Sequence, residues 1–455
     1  MFSKKIFFSL LILFSFQKAY FQEKPNIVFF MADDCTYRDL GPYGSKNSIT
    51  PNIDGLADSG LKFNKCFQAT PMCSPTRHNL LTGIYPVRSG AYPNHTFVDP
   101  GTKSIVQHLK PLGYRVALSG KRHISPKSVF DFEYLGKGKN PDFKEVKNFL
   151  KDAKQKKEPF CLFLMSNEPH VPWDKGDQNL FNKDSLILPP FYVDTEETRE
   201  AYKNYIAEIN YMDGQVGKAI KLIEEQGLSD NTIFIFTSEQ GNSFPFAKYT
   251  CYDSGLHTAF IVKWPKKIKP GSKTDALIDY TDVVPTLIDI ANGKIPEGLD
   301  GSSFLDVIKG ENKMHKEYSY GVQTTRGIFA GSDHFGIRSV TDGEYVFIMN
   351  LTPEAEFKNI ATDPEKGKSW WFSWVEAAET DAFALDKVNS YRSRPKFELY
   401  DSSHDPYNLR NLAEKKEYAE VQKRLYGKLL EWMAYCGDKG QLTEMQAFSH
   451  QHGPK

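Results

Sequence analysis

The sequence predicts an α/β fold: a central, mostly parallel sheet sandwiched by helices, with a smaller C-terminal α+β subdomain. Three observations carry this. Several short, near-continuous apolar runs read as strands buried on both faces. Helical patterns lie between these runs, which is the alternation of an α/β sandwich. After about residue 315 the composition shifts, and two further strands and one charged amphipathic helix follow.

The first strand is Asn26 to Ala32, ending in Asp33-Asp34. Tyr114 to Leu118 ends in Ser119-Gly120-Lys121, and Phe160 to Met165 ends in Ser166-Asn167-Glu168. Thr232 to Thr237 ends in Ser238-Glu239-Gln240-Gly241, and Ala259 to Trp264 is a fifth run. The clearest helix is Thr195 to Gln226. There Tyr205, Ile206, Ile209, Met212, Val216, Ile220 and Ile223 recur at three- and four-residue spacing, and Gly227 supplies the stop. Asp282 to Ile290 is a second, shorter helix. Beyond residue 315, Tyr345 to Leu351 and Lys396 to Tyr400 read as strands and Ala413 to Met433 as the amphipathic helix. The division expected is residues 1–22 as an export signal, 23–315 as the catalytic domain and 316–455 as the subdomain.

The bulk numbers exclude several classes. The 455 residues are 40% hydrophobic and 25% charged, which suits a large globular core. A formal net charge of +0 gives no global attraction to nucleic acid or anionic membranes. Lys4 and Lys5 precede the apolar stretch Ile6 to Phe16, the pattern of a signal peptide, too short to span a bilayer. Export to the periplasm or the medium follows, and no later segment is apolar enough to span. Cys35, Cys66, Cys73, Cys161, Cys251 and Cys436 show no paired spacing, so neither a zinc site nor a disulfide framework is indicated. The basic stretch Lys263 to Lys273 reads as a solvated face.

Ligands of such sheets bind outside the carboxyl ends of the strands, where the polar endings fall. Adjacent ionised carboxylates such as Asp33-Asp34 repel unless a cation joins them, and all-oxygen ligation suits calcium or magnesium. Glu239-Gln240 adds a carboxylate and an amide oxygen if its strand neighbours the first. In Cys73-Ser74-Pro75-Thr76-Arg77, Pro75 suits a first helical turn and sets Cys73 at a helix N-terminus, which favours anions. Arg77, one turn on, braces an oxyanion. On spacing alone, a buried cysteine on a capped helix explains this segment as well as a nucleophile does. Lys121, His123 and His170 follow strands, and Lys248 follows the Glu239 strand at short range. Several cations, two acid/base groups and a metal around one anion suit attack on a sulfate or phosphate ester.

At these residues the sequence resembles the formylglycine-dependent sulfatases of the alkaline phosphatase superfamily. Cys73-Ser74-Pro75-Thr76-Arg77, continued by Leu80-Leu81-Thr82-Gly83 and Tyr85-Pro86, matches their modification signature. Gly120-Lys121-Arg122-His123, Pro169-His170-Val171-Pro172-Trp173 and Asp282 to Leu287 fit in order. Within the family, Phe244-Pro245-Phe246, Ile337 to Val340 and Phe397 to Asp401 are similar to the heparan N-sulfatase (sulfamidase) branch and its bacterial polysaccharide-active relatives.

The resemblance implies that a maturation enzyme, formylglycine-generating or anaerobic sulfatase-maturating, oxidises Cys73 to 3-oxoalanine (formylglycine), whose hydrate is the nucleophile. It implies Ca2+ held by Asp33, Asp34, residue 73, Glu239 and Gln240. Arg77, Lys121 and Lys248 would neutralise the sulfate oxygens. His170 or Lys248 would assist the leaving group, and His123 would take a proton from the second hydroxyl. Thr325, Arg326, His334 and Arg338 lie where the branch contacts substrate. The implied substrate is a sulfated glycan, algal or glycosaminoglycan. One departure stands out: the family's metal half-site is Asp followed by Asn or His, whereas Glu239 and Gln240 are each one methylene longer. Two alternatives follow: a phosphodiester or phosphonate monoester hydrolase of the same superfamily, and a glycan-binding relative with a defective metal site.

Overall fold

A computed structural model describes residues 24–451; the segment 1–22, expected to be an export signal, lies outside them. A nine-stranded sheet organises the larger part. Its strands are β1 (Asn26–Ala32), β2 (Leu61–Phe67), β3 (Arg115–Gly120), β4 (Glu133–Leu135), β5 (Phe160–Met165), β6 (Thr232–Ser238), β7 (His257–Lys263), β8 (Ser272–Thr274) and β9 (Ile278–Asp279). They lie in the order β4-β3-β5-β1-β6-β7-β2-β8, with β9 also on β2. The core run β4-β3-β5-β1-β6 is parallel throughout.

β1 shows why continuous apolar runs form this sheet. All seven residues are buried. Alternate side chains point to opposite faces. Val28, Phe30 and Ala32 join the core cluster on one face, and Ile27, Phe29 and Met31 join the cluster on the other. Burying such a side chain contributes about 1.5–3 kcal/mol. The helix Glu196–Glu225 covers the first face with Tyr205, Ile206, Ile209, Met212 and Val216. Thr195 caps it, its hydroxyl accepting from the Thr198 N–H at 3.1 Å, and Gly227 follows its end in the left-handed region. The helices Cys73–Thr82 and Val283–Ile290 cover the second face.

The sheet is mostly parallel, as expected, and its antiparallel member is β7, which runs antiparallel to both β6 and β2. The connecting residues 239–256 hold only a four-residue helix, so no crossover helix lies between β6 and β7. β2 itself escapes a periodicity search because Lys62, Asn64 and Lys65 interrupt it and its register shifts between Phe63 and Cys66.

The smaller part is a four-stranded antiparallel sheet, β10 (Ser319–Thr324), β11 (Gly336–Thr341), β12 (Tyr345–Asn350) and β13 (Phe397–Asp401), in sequential order. Ile337, Val346 and Ile348 join the larger sheet's core. Val340, Phe347 and Leu399 pack instead with Leu425, Leu429 and Trp432 of the helix Ala419–Cys436. That helix starts later than the expected Ala413, because Leu412 donates its N–H to Leu399 O at 2.8 Å and holds the segment against β13. Among the described residues no helix is long and apolar enough to cross a membrane. All six cysteines are buried and free.

Candidate active site

The parallel strands place their polar endings side by side. β1 and β6 pair with Ala32 opposite Ser238, so Asp33-Asp34 and Glu239-Gln240 emerge together. β5 ends on the other side of β1, and the Ser166 N–H donates to Met31 O at 2.9 Å. β3 ends beside β5, and the Lys121 N–H donates to Met165 O at 2.8 Å. Lys121, His123 and His170 thus reach the edge shared with the two acidic pairs.

Asp33, Asp34 and Glu239 are fully buried, and each offers an oxygen within 4.8 Å of the others. The extra methylene of Glu239 does not carry its carboxylate out of the cluster. Three permanent cations surround these acids. Arg77 contacts Glu239 and lies 3.9 Å from Asp33; Lys121 contacts Asp33; Lys248 lies 2.6 Å from Asp34 Oδ2. With all three carboxylates ionised, as a bound divalent cation would favour, they cancel the three cations, and that cation would leave an excess of two positive charges for an incoming anion.

The donor set fits an oxygen-ligated cation. Asp33 Oδ1 and Gln240 Oε1 are buried without a hydrogen-bond partner among the described residues. Buried oxygens of this kind call for a ligand. The Gln240 amide nitrogen lies 2.6 Å from Asp34 Oδ1 and 3.3 Å from Glu239 Oε2. A half-turn of the terminal amide would point its oxygen toward the carboxylates, where an oxygen-ligated cation would sit. Burial, reinforced by Asp33, raises the Glu239 carboxyl well above its usual pKa, despite Arg77. Asp33 goes the other way: burial opposes its charge, but Lys121, His170 and Arg77 hold it well below the usual range.

Cys73 opens the helix Cys73–Thr82, all ten residues of which are buried. Its Sγ lies 3.2 Å from His123 Nδ1. The His123 Nε2 lies 2.9 Å from His95 Nδ1, so the two histidines form a chain behind the sulfur. Burial, with Lys121 and Arg77 nearby, pushes the His123 imidazole down to about 3. Its backbone and that of His95 are both left-handed, with φ 54° and 56°. The His170 ring directs Nδ1 to Val171 O at 2.6 Å, which leaves Nε2 facing Asp34 Oδ2 at 3.7 Å. Burial lowers its pKa as well. For Lys248 burial opposes the charge, but Asp34 outweighs it and the pKa rises well above normal.

Above these groups lies a cleft of about 830 Å³ whose lining includes Cys73, Lys121, His123, His170 and Lys248. His95, Asn94, Arg122, Lys137, Lys139, Tyr249 and Phe329 share it. Sequence reasoning passed over these seven as cleft residues, because each sits in a loop with no periodic pattern to anchor it.

The four residues expected to touch substrate do not line this cleft. Arg338 is fully buried, bonded to Asp438 and, at 2.8 Å, to Glu444. Thr325 is buried and its hydroxyl accepts from the Phe335 N–H at 3.0 Å. The Arg326 guanidinium stacks on Phe448 at 4.4 Å, and His334 Nδ1 lies 3.2 Å from Glu444 O. The C-terminal segment 438–450 contacts three of these side chains.

Comparison with known proteins gives the family. The sulfatase profile matches residues 25–293, and that of the N-sulphoglucosamine sulphohydrolase C-terminal region matches 241–371. An ulvan-active sulfatase of Formosa agariphila is 34% identical over 425 residues, covering 91% of this chain and 81% of its own. The N-sulphoglucosamine sulphohydrolase of Homo sapiens is 24% identical, covering 90% and 89%. A solved structure in complex with D-glucosamine-2-N,6-O-disulfate superposes with a TM-score of 0.70 at 19% identity, covering 92% of this chain and 99% of that one.

Proposed function

The chain belongs to the sulfatase family, enzymes that hydrolyse sulfuric esters, and from that premise we propose that it removes sulfate groups from a carbohydrate. One observation carries the reading: Cys73 stands at a helix N-terminus over three buried carboxylates, three cations and two histidines, at the floor of one cleft. The ulvan-active and N-sulphoglucosamine-active relatives support a glycan, algal or glycosaminoglycan, as substrate. The signal-like pattern of Lys4, Lys5 and Ile6 to Phe16 supports a periplasmic or secreted enzyme. We read residues 23–315 as catalytic and 316–455 as its supporting subdomain.

Calcium would be held by Asp33, Asp34, Glu239, Gln240 and residue 73, and would supply positive charge against the sulfate oxygens and the attacking oxygen. Formylglycine at position 73, made by a maturation enzyme, would supply the geminal diol that a thiol cannot form. Cys73 Sγ stands in for an oxygen of that side chain. His123 Nδ1, 3.2 Å away, is placed to hold and remove its proton. For Nδ1 to accept, His123 must carry its own proton on Nε2, and His95 Nδ1 is the acceptor 2.9 Å away. His95 is a positioning residue in this reading. Arg77, Lys121 and Lys248 would face the sulfate oxygens. His170 or Lys248, both lining the cleft, would assist departure of the leaving group.

The test is release of free sulfate from sulfated oligosaccharides by protein co-expressed with a maturation enzyme. Release should vanish on chelation and return with calcium, and peptide mass should show Cys73 converted. An unmodified thiol with full activity, or cleavage of phosphodiesters in preference to sulfates, would sink the reading.

A further inference from the structure

The cleft carries more positive charge than one sulfate ester needs. Lys121, Arg122, Lys137, Lys139 and Lys248 line it, and among the described residues its lining includes no aspartate or glutamate. Lys121 and Lys248 are matched by Asp33 and Asp34 beneath them. Arg122, Lys137 and Lys139 have no ion-pair partner among the described residues. All three come from the stretch that follows β3 and β4, and all three are exposed where Arg77 is not.

This rim is shaped. The Arg122 guanidinium stacks 4.1 Å from the Tyr134 ring and donates to Gly136 O at 3.1 Å. Gly136 turns the chain with φ 80°, and the space a Cβ would take there is filled by Asp142. The turn that presents Lys137 and Lys139 is thus tied to Arg122. Like charges crowded on one rim repel, and a bound anion relieves that repulsion. A sulfate ester brings one negative charge, already met at the floor. Phe329, 58% exposed, adds an aromatic ring to the same cleft, with Lys366 Nζ 5.4 Å from its centroid, and a sugar ring can pack on such a surface.

We infer that Arg122, Lys137 and Lys139 form a subsite for a second anionic group, a carboxylate or a further sulfate ester, on the sugar next to the one bearing the scissile sulfate. The inference rests on the glycan sulfatase reading above and narrows it: the substrate is polyanionic, and charge away from the reacting sulfur sets its affinity.

The test is calorimetric binding to the full chain, with calcium present, of three disaccharides that share one sulfated sugar. The neighbouring sugar is neutral in the first, a uronate in the second and a sulfate ester in the third. The charged partners should bind about tenfold more tightly than the neutral one, as expected of several partly exposed charge pairs acting together. The uronate and sulfate arms tell which anion is preferred. The ratio should fall below about twofold in the K137A/K139A double variant and shrink in high salt. Equal affinity for all three, no measurable binding of the charged pair, or a preference that survives in the double variant overturns the subsite. Sulfate release is scored separately: charge preference without release overturns the enzymatic reading and leaves the subsite standing.

Discussion

Arg77 and Arg338 are both fully buried and each faces two carboxylates, yet they sit in different kinds of place. Arg338 ties β11 to the C-terminal segment through Asp438 and Glu444, and its Nη1 also donates to Ile337 O at 3.1 Å. Arg77 donates to Lys121 O at 2.9 Å and braces Glu239 beside Asp33, within the only acidic cluster among the described residues that has metal-binding geometry. A buried ion pair is therefore no sign of a site. What separates the two is the neighbourhood: Arg77 faces a cluster of three carboxylates whose oxygens converge within 4.8 Å, one turn from a residue that opens into a cleft.

The largest expected effect tests the Arg77 side at its centre. Cys73→Ala should lower sulfate release by at least ~10⁴-fold, because it removes the nucleophile of the proposed covalent route. Circular dichroism should be unchanged. Residual turnover near wild type would move the chemistry elsewhere in the cleft.

Next comes the Arg338 side. Arg338→Met strands Asp438 and Glu444 in the core, which costs about 3–5 kcal/mol for a broken buried pair. Urea denaturation should show this, while kcat of the protein that stays folded should hold. Arg77→Lys should do the reverse. Lysine keeps the charge but loses the fork, so kcat/KM should fall by roughly 10²–10³-fold. If Arg338→Met lowered kcat instead, the separation of the two arginines would collapse.

The same contrast explains what was legible in the sequence. β1, β3, β5 and β6 are interior parallel strands, apolar on both faces, and their runs stand out against polar ends. Because the sheet is parallel there, reading the residue after each run finds Asp33, Lys121 and Glu239 without any structure. β10 and β11 were not visible: Gln323, Thr324, Arg338 and Ser339 are buried polar residues that break the apolar pattern. For the same reason Arg326 and Arg338 looked available to a ligand, since their partners lie about 100 residues away in the C-terminal segment. Long-range pairing of this kind leaves no local signal. The direction of β7 was equally hidden, because an apolar run reads the same both ways.

His95 is the residue that local pattern could least reveal, and it gives the smallest and most specific prediction. It lies in a loop, and only the fold brings its Nδ1 to 2.9 Å from His123 Nε2. If its task is to fix the proton of His123, an acceptor at that position should suffice. Asparagine supplies one, since its Oδ1 occupies the place of Nδ1, and it tolerates the left-handed backbone at φ 56°. His95→Asn should keep kcat within about threefold. His95→Phe fills the space without an acceptor and should lower kcat about tenfold at unchanged KM, the scale seen when a group that orients a base is lost. Equal losses in both variants, or a change confined to KM, would mean that His95 only holds the loop, and the chain from Cys73 would end at His123.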